Sequence, residues 1–436
     1  MEIIPAKDLK LGMFVAEPDC PWMELPFLLQ GFVLSEMEEL EVFRQKCKFV
    51  QIDRSRSLEA HYRAPEVKAV KKEESKPQEK ALVVDMEEIR KPHPDLLAVA
   101  SVPRHERRRR FLDFLCGLDG DERDGELATE LTHIEPRFDA LVDNLKQTFK
   151  QVQAEHPLDL ENVRGGVAEV AESLQRNPDA VMWLLRLKNV DQYSFDHAMD
   201  VSVNLLLFGG HVGFRGQRLL DLGIAGMLQD VGKTQLSSEL LVKSGDLTAE
   251  EQHLVRSHVA SSLEILMSQQ SLSKEILLVV ARHHERWDGS GYPHGLAMDQ
   301  VGVAAEMSGL VDSFCAMLRN KPYRSAIGHQ QALEELFHLR GTKFNPVLME
   351  QFVQCVGLYP IGTLVELASG EVGVVIQQNR VQRSRPKLLL MLDADKALIH
   401  GYRVLDLRAP AAARQRIARA LPHDAYGLAA YDYYLD

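Results

Sequence analysis

The chain has 436 residues, 45% of them hydrophobic and 26% charged. That length exceeds one ordinary domain and points to two to four soluble, globular ones. A net charge of −12 argues against general attraction to a nucleic-acid polymer, so an anionic substrate would need a locally basic pocket. Five scattered cysteines, Cys20, Cys47, Cys116, Cys315 and Cys355, form no CxxC pair. They indicate reduced thiols rather than a disulfide framework. The N-terminus lacks the apolar core of a signal peptide, and no run of about 18 apolar residues occurs. A cytoplasmic chain without membrane insertion is expected.

Residues 1–53 read as a small mixed module. Short β-like stretches at Met13-Phe14-Val15, Phe32-Val33-Leu34 and Phe49-Val50-Gln51-Ile52 flank an acidic amphipathic helix near Ser35–Cys47. Ser35 followed by Glu38 is a capping-box pattern at its start. Residues 54–104 are rich in Lys, Glu and Pro and poor in aromatics, a composition that buries too little apolar surface to offset chain entropy. They are read as a flexible linker. The basic run Arg104–Arg110 and the acidic stretch Asp119–Glu126 read as solvated helix ends or loops, since no aromatics interleave with the charges.

A helical block follows over 105–357. Phe138, Leu141, Val142 and Leu145 recur at helical spacing and define one apolar face. Helices are expected to continue through 159–175, 178–187, 191–211, 215–228, 248–269, 273–284, 299–319, 329–339 and 346–356. A metal site here would be built from side chains on facing helices. Near Leu358 the pattern changes to short, glycine-punctuated β runs, giving a β module of three or four strands over 358–407. Residues 408–436 are read as a tail. The fold class is mainly α, with a small α+β module before the helical block and a small β module after it.

Residue types suited to metal chemistry recur in the helical block. They are His197, Asp230, His258, the adjacent pair His283-His284, and Asp312. A two-metal phosphoesterase needs a bridging carboxylate, neutral imidazoles and a water between the ions. Any one of these residues alone could be structural, because a single backbone carbonyl satisfies a buried imidazole.

The run from His283 to Pro293, His-His-Glu-Arg-Trp-Asp-Gly-Ser-Gly-Tyr-Pro, matches the pattern HHExxDGxGYP and resembles the HD-GYP family of phosphohydrolases. The likeness covers roughly 178–345. It includes Tyr193-Ser194-Phe195-Asp196-His197, Asp230-Val231-Gly232-Lys233, His258, Asp312 and Lys321-Pro322-Tyr323-Arg324. Leu11–Val15, Pro21-Trp22 and Pro26-Phe27 resemble an N-terminal module often found ahead of such domains. The resemblance implies a first metal held by His197, Asp230 and Asp312, and a second by His258, His283 and His284, with Asp230 bridging. It implies two divalent cations, iron or manganese, or one alone. Lys233 would meet a phosphate oxygen or steady the attacking water. Lys321 and Arg324 would grip phosphates, and Gly291 and Tyr292 would shape the substrate loop. Glu285 and Asp288 could orient ligand histidines or cap the turn. Because adjacent residues on a helix diverge by about 100°, His283 and His284 require a distorted helix end or different approaches to the cluster.

The implied activity is hydrolysis of cyclic di-GMP to pGpG and GMP. A diguanylate cyclase (GGDEF) protein is an implied partner through the GYP region. The sequence departs from the family at Gln229, where the pattern places a ligand histidine. A neutral amide oxygen is a weaker donor. Gln229 could ligate weakly, could hydrogen-bond a water ligand, or could leave the first position empty. Two alternatives therefore stay open: a catalytically impaired cyclic di-GMP receptor or scaffold, and a phosphohydrolase for another nucleotide.

Overall fold

The computed structural model describes residues 2–19, 32–34, 37–52, 57, 122–154, 156, 160–187, 193–269, 272–319, 326–379, 382–422 and 425–428. The capping serine at Ser35, nearly all of the linker 54–104, the run Arg104–Arg110, and Lys321 to Arg324 lie outside them. So do the first three residues of the acidic stretch, 119–121, whereas its remainder begins a helix at Glu122. The chain divides into two compact units. One comprises Met1–Ser101, Val365–Arg419 and Asp424–Ala429. The other comprises Val102–Leu364, Ala420–His423 and Ala430–Asp436.

At the N-terminus, β1 (Glu2–Pro5), β2 (Phe14–Pro18), β3 (Phe32–Val33), α1 (Met37–Lys46) and β4 (Phe49–Ile52) form a sheet of order β1-β4-β2-β3 with one helix. Leu9, Val15, Leu34, Phe43 and Ile52 are fully buried there.

The second unit is helical: α2 (Glu122–Gln153), α3 (Glu161–Arg176), α4 (Pro178–Leu187), α5 (Tyr193–His211), α6 (Gly216–Leu228), α7 (Ser238–Leu241), α8 (Ala249–Arg256), α9 (His258–Met267), α10 (Lys274–Arg282), α11 (Val303–Met317), α12 (His329–His338) and α13 (Pro346–Val356). Its centre is the packing of α5 against α6 and α11, with α9 and α10 alongside. In α6 every residue from Asp221 to Leu228 is buried, and in α11 Met307–Asp312 are buried without a gap. Helices apolar on all sides belong in the interior, and they bring their few polar residues in with them. No helix among the described residues is long and apolar enough to cross a membrane.

Two local expectations are corrected. The helix expected over 248–269 is two, α8 and α9, broken at Ser257. Ser257 Oγ donates to the Leu254 carbonyl at 2.7 Å and His258 Nδ1 meets the Val255 carbonyl at 2.5 Å. Side chains that bond the preceding turn compete with the regular ladder there. The C-terminal sheet has five strands, not three or four: β5 (Leu364–Leu367), β6 (Val372–Gln377), β7 (Lys387–Leu392), β8 (Leu398–Asp406) and β9 (Ile417–Ala420), in the order β8-β7-β6-β5-β9. The segment after 407 is thus not a bare tail. Ile-Ala-Arg-Ala carries no β signal of its own; it is recruited by pairing along β5 and by the Arg419–Glu366 ion pair at 2.5 Å.

Candidate metal centre

Each candidate ligand in the described helices sits where the chain ends a helix or lies inside one. His197 projects from α5 and Asp312 from α11. Gln229 caps the C-terminus of α6, and Asp230 starts the 3₁₀ turn Val231–Gln235. His258 opens α9. His283 caps the end of α10, after which the chain turns, with Glu285 N–H bonding the Arg282 carbonyl at 2.9 Å. That turn is the distorted helix end required for both adjacent rings to face one cluster. Their centroids lie 4.1 Å apart, and those of His258 and His284 lie 5.1 Å apart.

Asp230 is common to two groups, each with ligand atoms mutually within 4.8 Å: Asp230, His258, His283 and His284, and His197, Asp230 and Asp312. His258 Nε2 is 3.2 Å and His283 Nε2 3.7 Å from Asp230 Oδ1. Neighbouring ligands around a cation with bonds of about 2.1 Å lie about 3.0–3.4 Å apart, so the His258 separation fits a shared ion and the His283 separation of 3.7 Å is slightly wide of it. The ring tautomers fit as well. His258 Nδ1 faces the Val255 carbonyl, and His283 Nδ1 faces the Val280 carbonyl at 2.8 Å. An Nδ1–H given to a carbonyl leaves the lone pair on Nε2. Among the described residues, Nε2 of His258, His283 and His284 and Oδ1 of Asp230 are buried without a hydrogen-bond partner. Four converging, unsatisfied electron-pair donors are the arrangement a divalent cation satisfies.

Burial dominates the electrostatics. It pushes the His284 imidazolium well below its ordinary range, assisted by His283, so the ring stays neutral. Burial would raise the carboxyl of Asp230, yet the Lys233 ammonium above all holds it well below the carboxylate range. The same opposition, with His197 as the main partner, keeps Asp312 ionised. Lys233 Nζ lies 2.7 Å from Asp230 Oδ2.

Close backbone approaches hold the cluster. A Cβ on Gly232 would lie 2.3 Å from the His258 carbonyl oxygen and 2.5 Å from the Ser262 nitrogen. Only glycine lets the Asp230 turn lie against the start of α9. A Cβ on Gly291 would be equally confined, 2.4 Å from the Glu285 Cα and 2.5 Å from the His284 carbonyl oxygen. The loop it belongs to brings Tyr292 onto the His284 ring, with centroids 4.6 Å apart at 22°. The guanidinium of Arg256 lies 5.0 Å over the Tyr292 ring.

Glu285 and Asp288 both shape this loop. The Glu285 carboxylate accepts from His294 N at 2.8 Å and Leu296 N at 3.0 Å. Asp288 accepts from the Ser290 hydroxyl, the Ser290 backbone N–H and Lys343, and these bonds bring its carboxyl to about 2. The motif's acids therefore tie down backbone rather than touch the histidines.

Sequence reasoning missed two serines. Ser262 accepts from Gly232 N–H at 2.8 Å and donates to the Gln229 carbonyl at 2.9 Å. Ser308 donates to Gln229 Oε1. Ser262 stands four residues after His258, and Ser308 four before Asp312. That spacing shares a helix face and could have flagged both. Arg319 was also unremarked. It ties the end of α11 to α5 through Asp200, at 2.5 Å, and Asp196, immediately before the segment carrying Lys321 and Arg324.

Comparison with known proteins places this geometry. The family described as HD domain matches residues 192–348, spanning every candidate ligand. A domain of unknown function (DUF3391) matches residues 2–163. Over 406 residues the chain is 29% identical to cyclic di-GMP phosphodiesterase PA4108 of Pseudomonas aeruginosa, covering 93% of this chain and 88% of that one. It is 34% identical over 138 residues to a cyclic di-GMP phosphodiesterase of Thermotoga maritima, which is 31% of this chain and 37% of the relative. A solved HDG"Y"P protein from Bdellovibrio bacteriovorus is 12% identical, with a TM-score of 0.43 over 80% of this chain and 97% of its own. The HD-domain match over residues 192–348, the long relative and the HHExxDGxGYP run closing on the Asp230 cluster make the helical unit similar to the HD-GYP family of phosphohydrolases.

Proposed function

We propose that the chain is a metal-dependent phosphodiesterase that hydrolyses cyclic di-GMP to pGpG and then GMP. The observation that carries this reading is the buried set of three Nε2 atoms and Asp230 Oδ1 converging on one point. The names of the relatives support the substrate. When bound, a divalent cation such as iron or manganese withdraws charge from a phosphoryl oxygen and acidifies a water. His258, His283 and His284 supply neutral donors, and Asp230 the anionic one. Lys233, with its side chain 29% exposed, sets an ammonium beside Asp230 where the phosphate's negative charge gathers. Tyr292 covers His284 and limits its contact with water, and Arg256 adds a cation over the outer face of that ring. Lys321 and Arg324 supply further phosphate contacts. The two small sheets serve as regulatory or assembly modules.

A second reading, a cyclic di-GMP receptor with little turnover, is favoured by one observation: both ends of the Gln229 amide are engaged by protein. Purified protein given cyclic di-GMP with Mn²⁺ or Fe²⁺ separates the two. Release of pGpG, lost in Asp230→Ala, is the expected result. Tight binding without product in either metal would leave the receptor reading.

A further inference from the structure

The two groups that share Asp230 use their polar atoms differently. In the group of His258, His283 and His284, every Nε2 and the facing carboxylate oxygen are buried and unsatisfied among the described residues. In the group of His197 and Asp312, the corresponding atoms already bond one another. His197 Nε2 lies 2.8 Å from Asp312 Oδ1, and Gln229 Nε2 donates to that same oxygen at 3.3 Å. The other end of the amide, Oε1, accepts from the Ser308 hydroxyl. Gln229 is 1% exposed and Ser308 fully buried, so water does not compete for these bonds. Asp230 Oδ2, the oxygen on the His197 side at 3.9 Å, is occupied by the Lys233 ammonium.

We propose that this chain holds one divalent cation tightly, in the cage of Asp230, His258, His283 and His284, and that Gln229, oriented by Ser308, closes the second position. The proposal rests on reading that cage as a metal site. Three physical steps lead to it. The Ser308 hydroxyl donates to Oε1, so the NH₂ end of the amide faces Asp312. An N–H pointed at the carboxylate puts a partial positive charge where a cation would sit. His197, holding its Nε2 on Asp312 through a proton, has no lone pair there to offer. A second ion would therefore have to turn the amide over, displace the His197–Asp312 bond and compete with Lys233. A histidine at position 229 has no obligatory N–H facing Asp312 and would bring a lone pair in its place. We expect the second ion to bind about 10–100-fold more weakly than the first, in keeping with the sensitivity of such sites to their outer contacts.

The test is metal stoichiometry on the full chain. Protein depleted of metal is titrated with Mn²⁺ by calorimetry, and the loaded form is examined by electron paramagnetic resonance. One tight ion per chain with an uncoupled six-line spectrum is the expected result. Two tight ions with an exchange-coupled spectrum would overturn the proposal. No tight binding at all would instead refute the reading of the cage itself, and so is distinguishable. Gln229→His should add a second tight ion and coupling. The near-isosteric Gln229→Glu keeps the volume and the Ser308 contact while adding a carboxylate, and should do the same if the histidine disturbs folding. A folded variant of either kind that still binds one ion would remove Gln229 from the explanation.

Discussion

Gly232→Ala adds one methyl group at a place where backbone already touches backbone. The new Cβ would start 2.3 Å from the His258 carbonyl oxygen and 2.5 Å from the Ser262 nitrogen, whereas ordinary contact begins at 3.4 Å. The Asp230 turn and α9 must therefore separate by about 1.1 Å, the difference between 3.4 and 2.3 Å. Neither side can yield by rotating a side chain. Overpacking of this kind costs about 1–3 kcal/mol, and the Gly232 N–H bond to Ser262 Oγ is stretched with it. The larger consequence is local. Asp230 and His258 lie on opposite sides of the widened contact, and a misplacement of about 1 Å at a reacting centre costs about 100-fold in rate. Gly210→Ala is the control. Gly210 lies within α5, and its added Cβ would meet nothing within 4 Å, so the variant should be neutral or slightly more stable. Melting curves, Mn²⁺ titration and turnover of cyclic di-GMP are measured on both. Gly232→Ala with wild-type metal affinity and turnover would refute the claim that this backbone contact sets the ligand geometry.

Glu285→Ala leaves two backbone N–H groups of the GYP loop without their acceptor, a loss of about 2–6 kcal/mol of local stability. Amide exchange at His294 and Leu296 should quicken, with KM rising more than kcat falls; unchanged exchange would contradict the role drawn for Glu285. Tyr292→Phe keeps the ring on His284 and should retain metal affinity, whereas Tyr292→Ala should lower it several-fold by admitting water; equal affinities would show that the ring does not shield the ligand. Glu130 receives Arg176 and the Ser173 hydroxyl, and Arg176 above all holds its carboxyl below 4.5. Its contribution is therefore complete above about pH 4.5 and fades as pH falls through the lower folded value. The melting deficit of Glu130→Gln, about 1 kcal/mol because Arg176 is nearly half exposed, should shrink from pH 7 to pH 4. A deficit independent of pH would assign it to packing.

The candidate ligands were legible because each lies in a short motif whose spacing survives without tertiary knowledge. Helical periodicity placed α4 and α13 to the residue, and it placed the long inner helices nearly as well, since a run of apolar residues that long has one compact solution. The misses share a physical cause. The break at Ser257 depends on hydroxyl and imidazole bonds to carbonyls three residues back, which apolar periodicity does not register. Strand β9 pairs because β5 has an open edge, not because Ile-Ala-Arg-Ala prefers extension. The bond from Ser308 to Gln229 spans 79 residues, and α6 and α11 must pack before it exists. Glu285 was ambiguous for the same reason: the donors it receives belong to a loop that turns back only after the glycines have bent it.

A fold that buries Asp230 Oδ1 and three imidazole nitrogens without partners is storing a cost. Each such atom costs about 1–3 kcal/mol, so four cost about 4–12 kcal/mol, comparable to the whole stability of a typical domain. A cation accepting all four electron pairs recovers that cost in the folded state alone, because the unfolded chain does not assemble the cage. The linkage relation gives about 4 kcal/mol of added stability at a thousand times the dissociation constant. Chelation should lower the melting temperature of the helical unit, and Mn²⁺ should restore it in proportion to the logarithm of its concentration. His258→Ala, which removes a donor and its buried nitrogen together, should melt higher than the chelated parent while responding far less to metal. A parent protein that melts at one temperature with and without Mn²⁺ would mean that the four atoms find another partner, and the cage would lose its claim as the site of the chemistry.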